Sequence, residues 1–118
     1  MVVELDRLDD ADVDRIFRAL ADATRRDILR RTLVAEETVS DLAADYAMSF
    51  AAVQKHVAVL ERAGLVAKEA VGRERRVRGN PAAIERAQAL LDSYEHLWRA
   101  RIDRLDALLA EDDAIEQI

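Results

Sequence analysis

Gln54, Lys55, Arg73, Arg75 and Arg76 are the side chains whose types and spacing best support chemistry in this chain, and that chemistry is recognition, not bond making. A glutamine offers a donor and an acceptor that match a base edge bidentately, while lysine and arginine reach phosphate oxygens. Gln54 and Lys55 lie in SFAAVQKHVAVLERAGL, residues 49–65, where Val53, Val57 and Leu60 fall at i, i+4 and i+7 and turn one side of a helix toward a core. The other side presents Ala51, Gln54, Lys55 and Ala58, small residues that permit close approach beside two long polar ones. Ser49 is placed to cap the first turn and Gly64 to end the last. A plain amphipathic helix in a bundle has the same inner face, so the neighbouring segments decide between the two readings.

The charge of the whole chain is −6, which by itself argues against a polyanionic partner. Its distribution does not. From Ser49 to Asn80, seven basic residues (Lys55, Arg62, Lys68, Arg73, Arg75, Arg76, Arg78) stand against three acidic ones (Glu61, Glu69, Glu74), a local charge of +4 between two segments of −5 each. Such an inversion is an electrostatic footprint for phosphate, with a solvated charged face as the alternative. No cysteine occurs and there are two histidines, His56 and His96, which removes disulfides, thiolate metal sites and thiol catalysis. No GxSxG, phosphate loop or HExxH occurs, so an enzyme is not supported, and no cofactor is expected. No apolar run approaches a membrane span and MVVELDRLDD is not a secretory leader, so a soluble, cytoplasmic protein with no membrane partner is expected.

The elements that would position these residues follow in order. Residues 1–11 form an acidic lead-in without periodicity. Val13, Ile16, Phe17 and Leu20 make a helical stripe beginning at Asp12. Asp22 reads as the cap of a second helix with Ile28, Leu29 and Leu33 inside and Arg25, Arg26, Arg30 and Arg31 on a solvated or salt-bridged surface. AEETVS is a connector, Ser40 caps a short helix DLAADY with Leu42 and Ala43 inward, and a turn of about four residues leads to Ser49. A short helix, a tight turn and a second helix that ends at glycine is the helix-turn-helix arrangement, whose second helix enters the major groove. LVAKEAV, GRE and RRVR then read as a β-hairpin with a cationic tip, a wing over residues 65–79. Arginines that merely blunt an exposed strand edge are the alternative.

Asn80 and Pro81 open a long last helix as cap and first residue. Ile84, Leu91, Trp98 and Leu105 repeat every seven residues, widened by Ala87, Leu90, Tyr94, Leu97, Ile102, Leu108 and Leu109. Some 28 residues span about 42 Å at 1.5 Å each, more than one small body covers, and a second copy of the chain is the simplest occupant of the remainder. EDDAIEQI is expected to fray. The fold expected is mainly α with a small β-hairpin in a single domain, residues 1–118, with a core over 12–80 and a dimerisation helix over 81–110.

Together FRALADATRRDILRRTL, TVSDLA, MSFAAVQKHVAVLERAGLV, GRERRVR and the terminal HLWRARIDRLDALL resemble the ArsR-type family of winged helix-turn-helix transcriptional repressors, over residues 13 to about 109. The resemblance implies a homodimeric repressor of double-stranded DNA with a pseudo-palindromic operator. Base-reading positions then match Phe50, Ala51, Gln54 and Lys55, flanked by Arg73, Arg75 and Arg76 of the wing and by Ser40 and Ser49 at the helix starts. First and last helices would form the dimer interface, through Val13, Ile16 and Phe17 and through Leu91, Tyr94, Trp98 and Leu105. Metal-sensing members carry a cysteine pair where Thr38 and Ser40 stand here, and hydroxyls do not replace thiolates for a soft metal. The nearest residues to the family's other metal site are Asp92, Glu95 and His96, without a second histidine, so no metal is expected. A winged-helix module that binds a protein partner through its long helix remains the competing function.

Overall fold

Every helix in the computed structural model, which describes residues 9–116, begins at a side chain able to satisfy its free N–H groups. Helix α1 (Asp10–Leu20) starts two residues before the expected Asp12 because the Asp9 carboxylate accepts from the Asp12 N–H at 2.8 Å. Helix α2 (Ala23–Val34) is capped by Asp22, which accepts from the Arg25 N–H at 3.0 Å. Its buried side is Ile28, Leu29 and Thr32, whereas Leu33 lies at the rim, 43 % exposed. Thr32 is tolerated inside because its hydroxyl donates to the Ile28 carbonyl at 2.9 Å.

The expected connector contains a strand, β1 (Glu37–Thr38). Thr38 also caps helix α3 (Val39–Ala44), accepting from the Asp41 N–H at 3.0 Å. That role was expected of Ser40, which instead sits exposed in the first turn. The helix therefore begins earlier than DLAADY predicts and adds Val39 to Leu42 as a buried anchor. After residues 45–49, helix α4 (Phe50–Arg62) starts at Ser49, whose hydroxyl accepts from the Ala52 N–H at 3.1 Å. It ends in a Schellman motif. Gly64, at φ 75°, lets its own N–H reach the Glu61 carbonyl and that of Leu65 the Leu60 carbonyl, each at 3.0 Å, and Leu60 and Leu65 are both fully buried.

Strands β2 (Val66–Val71) and β3 (Glu74–Gly79) form the hairpin, joined by Gly72 and Arg73. Positive φ at the first loop residue alone, 62° at Gly72, is the pattern of a type II′ turn, which matches strand twist. All three strands are antiparallel in the order β1-β3-β2, with Glu37 opposite Val77 and Thr38 opposite Arg76. Ile16, Ile28, Leu42, Val53, Val57, Leu60, Leu65 and Val77 are the large side chains sealed in the core, each worth roughly 1.5–3 kcal/mol of burial.

Helix α5 (Pro81–Glu116) opens with Asn80, which accepts from the Ala82 N–H at 3.1 Å. The chain divides into two compact units, one ending at Ala87 and one beginning at Gln88. Ala83 and Ala87 belong to the core of the first, which therefore takes in the first two turns of the helix. Within the second unit Leu91, Tyr94, Leu97, Trp98, Leu105, Leu108 and Leu109 are all exposed, Trp98 by 57 %. Most of the acidic end expected to fray is helical through Glu116, since adding a residue to an existing helix costs far less than starting one. Most of the lead-in, residues 1–8, and residues 117–118 lie outside the described residues.

Candidate nucleic-acid interface

The apolar seam of α4 fixes which side of it is available. With Val53, Val57 and Leu60 sealed, the 3.6-residue period leaves Phe50, Ala51, Gln54 and Lys55 exposed on the reverse. Arg73 occupies the hairpin turn. Side chains alternate along β3, and Val77 is the one that enters the core. Arg75 lies on the side of the sheet that Val77 occupies, while Glu74, Arg76 and Arg78 lie on the other.

This alternation separates the wing arginines. A cleft of about 290 Å³ is lined by Thr38, Val39, Ser40, Asp41, Phe50, Gln54, Arg73, Glu74 and Arg75. It brings together five of the expected contact residues, Ser40, Phe50, Gln54, Arg73 and Arg75. Arg76 instead lines a second depression with Glu36, Glu37, Thr38, Asp41 and Glu74, and its guanidinium lies 3.4 Å from Glu74. Ser49, Ala51 and Lys55 are exposed on α4 and its cap but do not line the cleft. Asp41 and Glu74 were missed as cleft residues; they set two carboxylates in the same walls as Arg73 and Arg75.

Of the α2 arginines, Arg26 and Arg30 are exposed and Arg30 and Arg31 are salt-bridged, as expected, but three of the four also hold neighbouring elements in place. Arg25 donates to the Ala19 and Arg18 carbonyls, each at 2.8 Å, and Arg26 to the Leu20 carbonyl at 2.7 Å, so the two close the C-terminal end of α1. Arg25 also lies 3.3 Å from Nδ1 of His56. Arg31 is 16 % exposed and holds Glu37 and Asp45, at 2.5 and 2.8 Å, with its guanidinium over the Tyr46 ring at 5.5 Å. The Tyr46 hydroxyl donates to Asp27 at 2.5 Å. That bond, with Arg30 beside it, holds the Asp27 carboxyl below its ordinary range, while burial followed by the bond to Asp27 pushes the Tyr46 phenol up. The backbone N–H of Arg25 lowers Asp22 in the same sense.

The residues expected at a dimer interface divide by burial. Ile16 is 2 % exposed and packs into the chain's own core. Val13 and Phe17 on the same helix are half-buried. Leu91, Tyr94, Trp98 and Leu105 are open, with the Arg101 guanidinium 5.8 Å over the Trp98 ring. Asp92, Glu95 and His96 line a shallow pocket with Arg99, but Asp92 already accepts from Gln88 at 2.9 Å and Glu95 from Arg99 at 3.3 Å. No group of three or more His, Cys, Asp or Glu among the described residues is arranged to hold a metal ion, and no described helix is long and apolar enough to cross a membrane.

A capped reading helix behind a tight turn, flanked by a cationic hairpin that lines a shared cleft, defines a winged helix-turn-helix of the DNA-binding kind. The family profile described as "Bacterial regulatory protein, arsR family" matches residues 22–68. The HTH-type transcriptional regulator Rv2034 of Mycobacterium tuberculosis is 36 % identical over 81 residues, 69 % of this chain and 76 % of its own length. An ArsR-like transcriptional regulator from Rhodococcus sp. RHA1 superposes with a TM-score of 0.73 at 32 % identity, covering 83 % of this chain and 92 % of that one. The homodimeric winged helix-turn-helix domain Mb0332 of Mycobacterium bovis gives 0.58 at 27 % identity over 74 % and 82 %. The chain belongs to the ArsR family of bacterial regulatory proteins, and it is a transcriptional regulator.

Proposed function

We propose that this regulator is a cytoplasmic homodimeric repressor that reads a pseudo-palindromic operator with α4 and grips the flanking backbone with the wing. The observation that carries the reading is the cleft in which Gln54 and Phe50 share walls with Arg73 and Arg75. Gln54 supplies a bidentate base contact, Lys55 and the two wing arginines meet phosphates, and Phe50 with Ala51 contacts thymine methyls. The open apolar face of α5 supports a dimer, as does the homodimeric state given for the Mycobacterium bovis relative. Two-fold symmetry then places half-sites roughly 34 Å apart, one helical turn, or a simple multiple of it. Binding by the purified protein to a duplex pool, followed by sequencing of the retained fragments, tests the reading. Enrichment of an inverted repeat is expected; retention of all sequences equally, or of none, would sink it.

A further inference from the structure

The helix α3 that precedes the reading helix is six residues long, too short to hold itself, and its core anchors are few: Val39, Leu42 and in part Ala43. Both of its ends run to one side chain. On the near side, the Arg31 fork meets both carboxylate oxygens of Glu37, Nε at 2.8 Å and Nη2 at 2.5 Å. Glu37 precedes Thr38, the residue that caps α3 and pairs with Arg76 in the wing sheet. On the far side, Nη2 holds the Asp45 carboxylate at 2.8 Å, and the guanidinium plane lies over Tyr46, in the turn that leads to α4. Tyr46 returns to α2 through Asp27.

From this geometry we propose that Arg31 is the positioning residue of the DNA-reading face: it clamps β1, the strand paired with β3 of the wing, and the helix-turn-helix turn to α2 and so sets the angle between Gln54 and the wing arginines, without touching DNA. The inference rests on the proposed DNA reading. Position is what a planar fork supplies. A lysine keeps the charge but has a single ammonium, which does not grip Glu37 with two bonds, reach Asp45 and cover Tyr46 at once. Misplacement of the two reading elements relative to each other weakens discrimination between sequences, because base edges demand geometry, and leaves backbone attraction intact, because phosphates demand mainly charge.

The experiment measures affinity of the wild-type protein, Arg31→Lys, Glu37→Gln and the double variant for a duplex selected by the wild type and for its scrambled version, across a salt series, at a temperature where far-UV spectra match. Arg31→Lys and Glu37→Gln are each expected to lower the ratio of selected to scrambled affinity on the order of tenfold, with scrambled affinity and salt slope unchanged. The double variant is expected to be no worse than either single one, since both remove one clamp. An unchanged ratio in Arg31→Lys overturns the proposal. So does an equal loss on both duplexes with a slope smaller by about 0.9, which would make Arg31 a phosphate contact. If Arg31→Lys does not fold, Glu37→Gln decides alone, a retained ratio overturning the clamp and a reduced one supporting it. A wild type that selects no sequence would overturn the DNA reading itself, and that is seen before any variant is made.

Discussion

Arg75 and Arg76 are adjacent in β3 and project from opposite sides of the wing sheet, Arg75 toward the cleft that holds Gln54 and Arg76 toward Glu74 and Glu37. One lines the cleft and the other lies 3.4 Å from a carboxylate, so under the proposed function they should behave differently. Arg75→Ala is therefore expected to weaken selected and scrambled duplexes alike and to flatten the salt dependence by about 0.9, with Arg73→Ala behaving the same way. Arg76→Ala should leave both slope and affinity close to those of the wild type. A fluorescence anisotropy titration of each variant across a salt series checks this, and equal effects from Arg75 and Arg76 would refute the separation.

Gln54 should fail differently. Gln54→Ala is expected to lose on the order of 1–3 kcal/mol on the selected duplex and to relax preference at one position in each half-site, with the salt slope kept. Repeating the duplex selection with the variant reads this out directly. An unchanged preferred sequence would take Gln54 out of base reading.

The open face of α5 makes the oligomeric state testable at single residues. Trp98→Ala and Leu91→Ala each remove a large apolar anchor, and truncation of such an anchor typically costs roughly 2 kcal/mol or more of association. Sedimentation equilibrium is expected to show a dimer for the wild type and a shift to monomer for both variants. Dimers of undiminished strength in both would move the interface elsewhere.

The Tyr46–Asp27 bond gives a pH dependence of definite sign. Asp27 has its folded-state pKa depressed, so its contribution is present above the unfolded value of about 3.9 and is lost as pH falls through the folded value. Tyr46→Phe deletes the largest cause of that depression. Urea melts between about pH 2 and 7 should show a shallower acid limb for Tyr46→Phe than for the wild type. Identical limbs would mean the bond adds nothing in solution.

Removal of metal is expected to change nothing. Hydroxyls stand at Thr38 and Ser40, and Asp92 and Glu95 are engaged by Gln88 and Arg99. Operator affinity measured with chelator and with added zinc should agree; a reproducible tenfold shift, about 1.4 kcal/mol of coupling, would point back to His96.

Helix α4 was legible because its signals are local: a stripe at Val53, Val57 and Leu60, a capping serine before it and a glycine after it. So were Asp22, Asn80 and the hairpin around Gly72. Less legible was whatever depends on pairing across the chain. A two-residue strand at Glu37–Thr38 has no periodicity of its own and exists because β3 offers it a partner. Arg31 is indistinguishable in sequence from the arginines around it until Glu37 and Asp45 are brought to it. Ile16 shares a helical stripe with Val13 and Phe17, and only packing reveals that it faces the chain's own core. Within the candidate site, the residues on α4 followed from spacing, whereas the division between Arg75 and Arg76 required the register of the strand.

Thr38 is at once the last residue of a strand and the cap of the next helix, so no slack separates the wing sheet from the helix-turn-helix. An inserted residue there would detach the cap from the sheet or unpair β1. The Gly72–Arg73 turn has no such double duty, and length added at it leaves the rest of the sheet register untouched. Length added at Gly72–Arg73 would therefore extend the hairpin while the body stays fixed, and an engineer lengthening the wing would cut there first.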